Sequence, residues 1–203
     1  MNEDKLRMQE SCKKKFEKAV TAVNELVRNS KKQVLVVGID GMCASGKTTL
    51  GYYLKSLFDC NLFHMDDFFL QPWQRTMERL NEVGGNVDYE RFKEEVLDRV
   101  LSQQEVEYRP YRCMEGVIME GQMIPWKRLT IIEGSYSLHP YFGDCYDLHI
   151  FTQLTKQEQL NRIRKRNGEE KLTRFVKEWI PKEEAYFEKY QIKNRCICIG
   201  HNE

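Results

Sequence analysis

The chain has 203 residues, 41% hydrophobic and 31% charged, with 32 Lys and Arg against 31 Asp and Glu for a net charge of +1. That length supplies a substantial core, that apolar fraction excludes a disordered chain, and that charge balance argues against a polyanion binder, so no nucleic acid is expected as a partner. No apolar run reaches the roughly 18 residues of a membrane helix, the charged N-terminus lacks the apolar centre of a secretory signal, and the seven cysteines form no CxxC pair. A reduced, cytoplasmic protein without a membrane partner is expected.

Leu6, Phe16, Val20, Val23, Leu26 and Val27 share one helical face, which predicts an amphipathic helix over residues 1–30. Val34–Ile39 is a continuous apolar run of the kind buried on both faces of a parallel sheet. A glycine-bearing loop follows, then a helix through Leu50, Leu54 and Leu57. Residues 61–65 read as a second strand, and residues 74–82 as a helix stopped by Gly84 and Gly85. Phe92, Val96 and Val100 place a helix over 89–101. Residues 106–125 alternate like strands around a turn at Gly116, which predicts a hairpin or flap. Residues 129–132, 148–151 and 196–199 are further strands; 155–166 and 173–190 are helices on either side of Asn167 and Gly168. Alternating strands and helices without a repeat or linker predict one α/β domain over residues 1–203.

Gly41-Met42-Cys43-Ala44-Ser45-Gly46-Lys47-Thr48 fits G-x-x-x-x-G-K-[ST], a pattern that arises by chance in roughly 1% of chains this long. It stands between a predicted strand and a predicted helix, the context in which such a loop cradles phosphate. The glycines let backbone N–H groups turn inward, and the helix N-terminus adds positive potential. Gly41, Ala44, Ser45, Gly46, Lys47, Thr48 and Thr49 form the expected nucleotide-binding set. Lys47 is placed to reach the terminal phosphates and Thr48 to offer its hydroxyl to Mg²⁺. Cys43, close to that helix N-terminus, is expected to have a lowered thiol pKa and to be the most reactive cysteine, unless it is simply an inert small residue.

Strand ends deliver carboxylates to the same cleft. Asp66 and Asp67 follow the second predicted strand; a carboxylate there can orient and deprotonate an acceptor hydroxyl, or the pair can cap a helix. Glu133 ends the strand over 129–132 and is a candidate partner of the Mg²⁺ shell, or a cap of the next turn. His64 reads as a packed strand residue, and the Phe68-Phe69 pair as core or as a wall of the acceptor pocket. Arg162 and Arg166 share a helix face near Gly168; they form either a solvated face or, over about 160–172, a lid closing on phosphates.

In this order the loop, Asp66-Asp67-Phe68-Phe69, Asn86-Val87-Asp88, Glu133-Gly134 and the arginine helix resemble the uridine kinase and phosphoribulokinase group, and are similar to nicotinamide riboside kinases, from about Val34 to Ile199. The resemblance implies a P-loop NTPase fold, a three-layer α/β/α sandwich with a mainly parallel sheet and a small lid. It implies Asp66 as catalytic base, with Asp66, Asp67, Asp88 and Tyr111 contacting the acceptor. Lys47 and the lid arginines Arg162 and Arg166 would complete the catalytic set, with Thr48 and Glu133 at the metal. Uridine kinases usually read Asp-Ser-Phe-Tyr at the second segment and follow the tyrosine with a pyrimidine-reading histidine; this chain has Asp66-Asp67-Phe68-Phe69 and no histidine between Tyr111 and Gly116. The reading is therefore an ATP- and Mg²⁺-dependent kinase of a nucleoside or related riboside. A nicotinamide riboside, a sugar phosphate or a vitamin precursor are the other acceptors, and self-association is compatible with it. A catalytically inactive nucleotide sensor is the reading from another class.

Overall fold

The computed structural model describes residues 3–200, with side chains from residue 12 onward; the side chain of Leu6 in the first predicted apolar face lies outside these. The first part of the chain holds α1 (Glu3–Asn29), β1 (Leu35–Gly41), α2 (Lys47–Leu57), β2 (Cys60–His64), α3 (Met77–Asn81), α4 (Tyr89–Phe92) and α5 (Asp98–Leu101). Four short strands follow: β3 (Val106–Tyr108), β4 (Tyr111–Arg112), β5 (Val117–Ile118) and β6 (Gln122–Ile124). Then come β7 (Leu129–Glu133), β8 (Leu148–Thr152), α6 (Lys156–Arg174), α7 (Ile180–Lys189) and β9 (Ile197–Ile199).

Five strands form one parallel sheet in the order β2-β7-β1-β8-β9. Side chains alternate across it, as the two-residue period of a strand requires. Leu35, Val37, Ile39, Leu129, Ile131 and Ile150 pack with Phe16, Ala19 and Val23 of α1 and Leu50 and Leu54 of α2. Val36, Ile132 and Phe151 point the other way, into a cluster with Phe63, Phe68, Phe92, Val96 and Tyr186. Because both faces are covered, the strands read as unbroken apolar runs. β1 lies at the centre, between β7 and β8, so the chain leaves it in one direction toward β2 and the other neighbour is reached only later. Such a reversal opens a crevice at the carboxyl ends of the strands.

Two boundaries differ from the sequence reading. The helix predicted over 74–82 begins only at Met77, because Thr76 accepts the Arg79 N–H and Pro72–Gln74 forms a separate 3₁₀ turn. The helix predicted over 173–190 begins earlier: Gly168 is non-helical (φ 82°, ψ 169°) and breaks α6 into two helices, as expected around Asn167, and the second runs from there through a π turn over Phe175–Trp179 into α7. Residues 106–125 form two nested antiparallel pairs, β3 with β6 and β4 with β5, closed near Gly116.

Gly41 is where the sheet hands over to the loop. Its φ is +141°, and a Cβ there would lie 2.1 Å from the Thr152 carbonyl oxygen of β8. Backbone cannot yield as a side-chain tip can, so Gly41→Ala is expected to destabilise the protein by about 2 kcal/mol or more, through strain and displacement of β8. Urea denaturation of the variant beside the unsubstituted protein measures this; equal midpoints would show that the β1–β8 junction has slack.

Candidate active site

The carboxyl ends of β1, β2, β7 and β8 meet at one level: Ile39 and His64 are both in register with Glu133, and Gly41 with Thr152. β1 runs into a loop whose shape is set by left-handed residues at Gly41 (φ 141°), Ala44 (φ 61°) and Gly46 (φ 103°). The Met42 N–H donates to the Thr152 carbonyl at 3.0 Å and the Ser45 N–H to the Met42 carbonyl at 3.2 Å. Ser45 itself is buried, its hydroxyl donating to the Met42 carbonyl at 2.6 Å beside Thr152 Oγ1. The loop is thereby tied to β8, and the first N–H groups of α2, which have no intrahelical acceptor, open toward the cavity.

Lys47 is only 8% exposed, and its Nζ donates to the carbonyls of Gly41 at 2.8 Å and Met42 at 3.2 Å. Burial alone would lower its pKa, but the surrounding carboxylates Glu183, Asp66, Asp40 and Glu133 outweigh that and raise it. The lysine is therefore a fixed positive charge at the loop's opening. Asp40, the last side chain before Gly41, is fully buried. It accepts from the Gly41 N–H at 2.7 Å, the Leu138 N–H at 3.1 Å and the Tyr186 hydroxyl at 2.9 Å. Burial pushes its carboxyl up to about 6 against the opposing pull of Lys47 and these donors.

Thr48 Oγ1 donates to Glu133 Oε2 at 3.1 Å, while Glu133 Oε1 pairs with His64 Nδ1. Desolvation would lower the His64 pKa; its bond to Glu133 and the charges of Glu133, Asp67 and Asp66 reverse this and raise it. His64 is thus an electrostatic partner of Glu133 rather than a packing residue alone. A hydroxyl and a carboxylate side by side form a hard-oxygen donor pair, the chemistry Mg²⁺ prefers when most of its shell is water and phosphate. No cluster of three or more His, Cys, Asp or Glu suited to an ion occurs among the described residues.

A cavity of about 930 Å³ opens in front of the loop. Ala44, Gly46, Lys47, Thr48, Thr49, Asp66, Arg162 and Arg166 of the predicted set line it; Gly41, Ser45 and Glu133 stand behind the wall. Asp66 is open to the cavity yet enclosed by protein on its other sides. That enclosure, opposed by Lys47 and helped by Glu133 and Glu183, raises its pKa. Arg162 and Arg166 face inward one helical turn apart, whereas Arg164 turns out to pair with Glu169 at 2.7 Å. The arginine run is thus partly solvated face and partly cavity wall.

The other acceptor candidates are not on this wall. Asp67 accepts the Tyr108 hydroxyl at 2.6 Å, Tyr111 is buried in the β4–β5 pair, and Asp88 caps α4 while taking the Gln74 amide at 2.8 Å. At that end the wall is instead Phe69, Leu70, Arg75, Leu80, Asn86 and Tyr136. Sequence reasoning missed Asp40, although a lone acid closing an apolar strand just before the loop was a visible signal. It also missed Glu183, whose only trace is its place in the apolar stripe Ile180, Glu183, Tyr186, all buried.

Cys43 corrects an expectation. Its thiol is pushed up to about 12, by burial first and then by Glu183, and the helix N-terminus does not lower it. Alkylation by iodoacetamide should therefore reach the exposed Cys113 well before Cys43, with or without nucleotide. Mass-spectrometric peptide mapping over time reports the order; Cys43 labelling first would contradict it.

Among known proteins, no family model matches the chain. It is 25% identical over 142 residues to uridine-cytidine kinase C of Dictyostelium discoideum, a match covering 69% of this chain and 31% of that protein. The chain therefore spans about a third of the length of the curated relative it matches. In structure it is similar to a possible uridine kinase from Bacillus stearothermophilus, with a TM-score of 0.64 at 17% identity over 92% of this chain and 98% of that one. It is also similar to D-glycerate 3-kinase from Cryptococcus neoformans, with a TM-score of 0.59 at 15% identity over 83% and 87%. No described helix is long and apolar enough to cross a membrane. The architecture is the three-layer α/β P-loop fold, and what the chain is similar to in sequence and structure is uridine kinase-like P-loop kinases.

Proposed function

We propose that the protein transfers the γ-phosphate of ATP to a hydroxyl of a small acceptor, a nucleoside or related riboside. The observation that carries this is the placing of Asp66, an accessible carboxylate of raised pKa, in one cavity with Lys47 and the phosphate loop. A sensor would have no use for a base aimed into its nucleotide cavity. The N–H groups at the start of α2 cradle the phosphates, and Lys47 meets the terminal ones. Asp66 accepts the proton of the acceptor hydroxyl as its oxygen attacks, and Arg162 and Arg166 neutralise charge that develops on the transferred group. Thr48 and Glu133 would hold Mg²⁺, which when bound would neutralise charge on the terminal phosphates. Asp67, Asp88 and Tyr111, named by resemblance, act from behind the wall: Asp88 fixes the Gln74 segment and the start of α4, and Asp67 fixes Tyr108.

Arg75 favours a second acceptor class. Its guanidinium, held at 2.9 Å on the Leu70 carbonyl, lines the cavity, and none of the lining residues is a histidine that could read a base. An alcohol carrying its own negative charge, such as a sugar phosphate, would use it.

Acceptor-stimulated ADP release across nucleosides, ribosides and sugar phosphates tests the reading. With an active acceptor, Asp66→Asn should lower turnover by roughly 10²–10⁴-fold while ATP binding stays nearly unchanged. Glu133→Gln should instead raise the Mg²⁺ concentration needed for half-maximal rate. Losses below about threefold in both variants would make the carboxylates structural, and a magnesium shift confined to Asp66→Asn would reverse their roles.

A further inference from the structure

We infer that Glu183 stands in for the terminal phosphate of the nucleotide and makes the site distinguish tri- from diphosphate. This rests on the kinase reading above and adds a residue that neither the motifs nor the resemblance supplied. Glu183 reaches the loop from α7 and is only 5% exposed. Its Oε2 accepts the Cys43 N–H at 2.8 Å and its Oε1 accepts the Ser135 hydroxyl at 2.7 Å.

The loop nitrogens divide by what they meet. Those of Met42 and Ser45 donate to backbone carbonyls, and those at the start of α2 are left for phosphate. The Cys43 N–H is held by a carboxylate. The position of Lys47 says which end of the nucleotide that carboxylate replaces. A P-loop lysine serves the β- and γ-phosphates, and here its ammonium sits on the carbonyls of Gly41 and Met42, next to Cys43. Among the carboxylates acting on that ammonium, Glu183 has the strongest influence. Glu183 therefore holds anionic oxygens at the γ end of the loop, on a donor that a phosphate oxygen would accept from.

A diphosphate leaves this contact in place. A triphosphate brings like charge to it and must displace Glu183 or bear the repulsion, so the carboxylate weakens ATP relative to ADP. Displacement also moves α7, which continues directly from the turn carrying Phe175 and Trp179 on the cavity wall. Once the γ-phosphate has gone to the acceptor, Glu183 can return to Cys43 beside the bound ADP.

The test is calorimetric binding of ATP and of ADP, without acceptor, to the unsubstituted protein, Glu183→Gln and Ser135→Ala. Glu183→Gln keeps the shape and removes the charge; it should tighten ATP about tenfold and leave ADP within twofold. Ser135→Ala removes one of the two anchors, so the ATP-to-ADP preference should move the same way by a smaller factor, and it carries the test if the glutamine variant does not fold. A preference that is unmoved or reversed while both nucleotides bind overturns this inference alone. If the unsubstituted protein binds neither nucleotide, the kinase reading fails and this inference with it.

Discussion

The site is organised around one buried ammonium. Lys47 has almost no contact with solvent, and an unpaired charge in that position would cost several kcal/mol. Four carboxylates from four parts of the chain make it tolerable: Asp40 at the end of β1, Asp66 after β2, Glu133 at the end of β7 and Glu183 on α7. Three of these are in turn held by their own donors. Asp40 is fixed by Gly41, Leu138 and Tyr186, Glu133 by Thr48 and His64, and Glu183 by Cys43 and Ser135. The sheet brings these acids to one level, and the lysine keeps them from repelling one another.

That arrangement links stability to chemistry. The parallel sheet is covered on both faces, so its only places for charge are the strand ends, and the central position of β1 gathers those ends around the loop. The tightest point is the β1–β8 junction, where only glycine lets the Gly41 backbone pass Thr152. A fixed loop presents its N–H groups without reorganisation, and preorganised donors of this kind supply much of the catalysis in phosphoryl transfer. Asp66 is the acid of the cluster most exposed to the cavity, which leaves it free to exchange a proton.

What the sequence disclosed and what it hid follow from distance along the chain. The phosphate loop, Asp66 and the shared inward face of Arg162 and Arg166 depend on spacings of a few residues, so periodicity and motif were enough to find them. Glu183 lies 140 positions from the nitrogen it binds, and nothing local distinguishes it from Glu184 beside it except the apolar stripe it interrupts. Cys43 was misjudged because proximity to a helix N-terminus is a local feature, whereas the burial and the carboxylate that raise its pKa come from α6 and α7. Tyr111 and Asp88 lie at recognisable places in the chain, but the hairpin and the start of α4 turn them away from the cavity wall.

The central claim is that Lys47, balanced by those four acids, is the anchor for a nucleotide's terminal phosphates and not a structural ion pair. ATP binding by Lys47→Ala, measured by calorimetry beside far-UV circular dichroism and a thermal melt, tests it most directly. The account predicts that the spectrum is kept while ATP affinity falls by at least about tenfold, the scale of one lost charge-assisted hydrogen bond. An unchanged ATP affinity in a folded Lys47→Ala variant would contradict it.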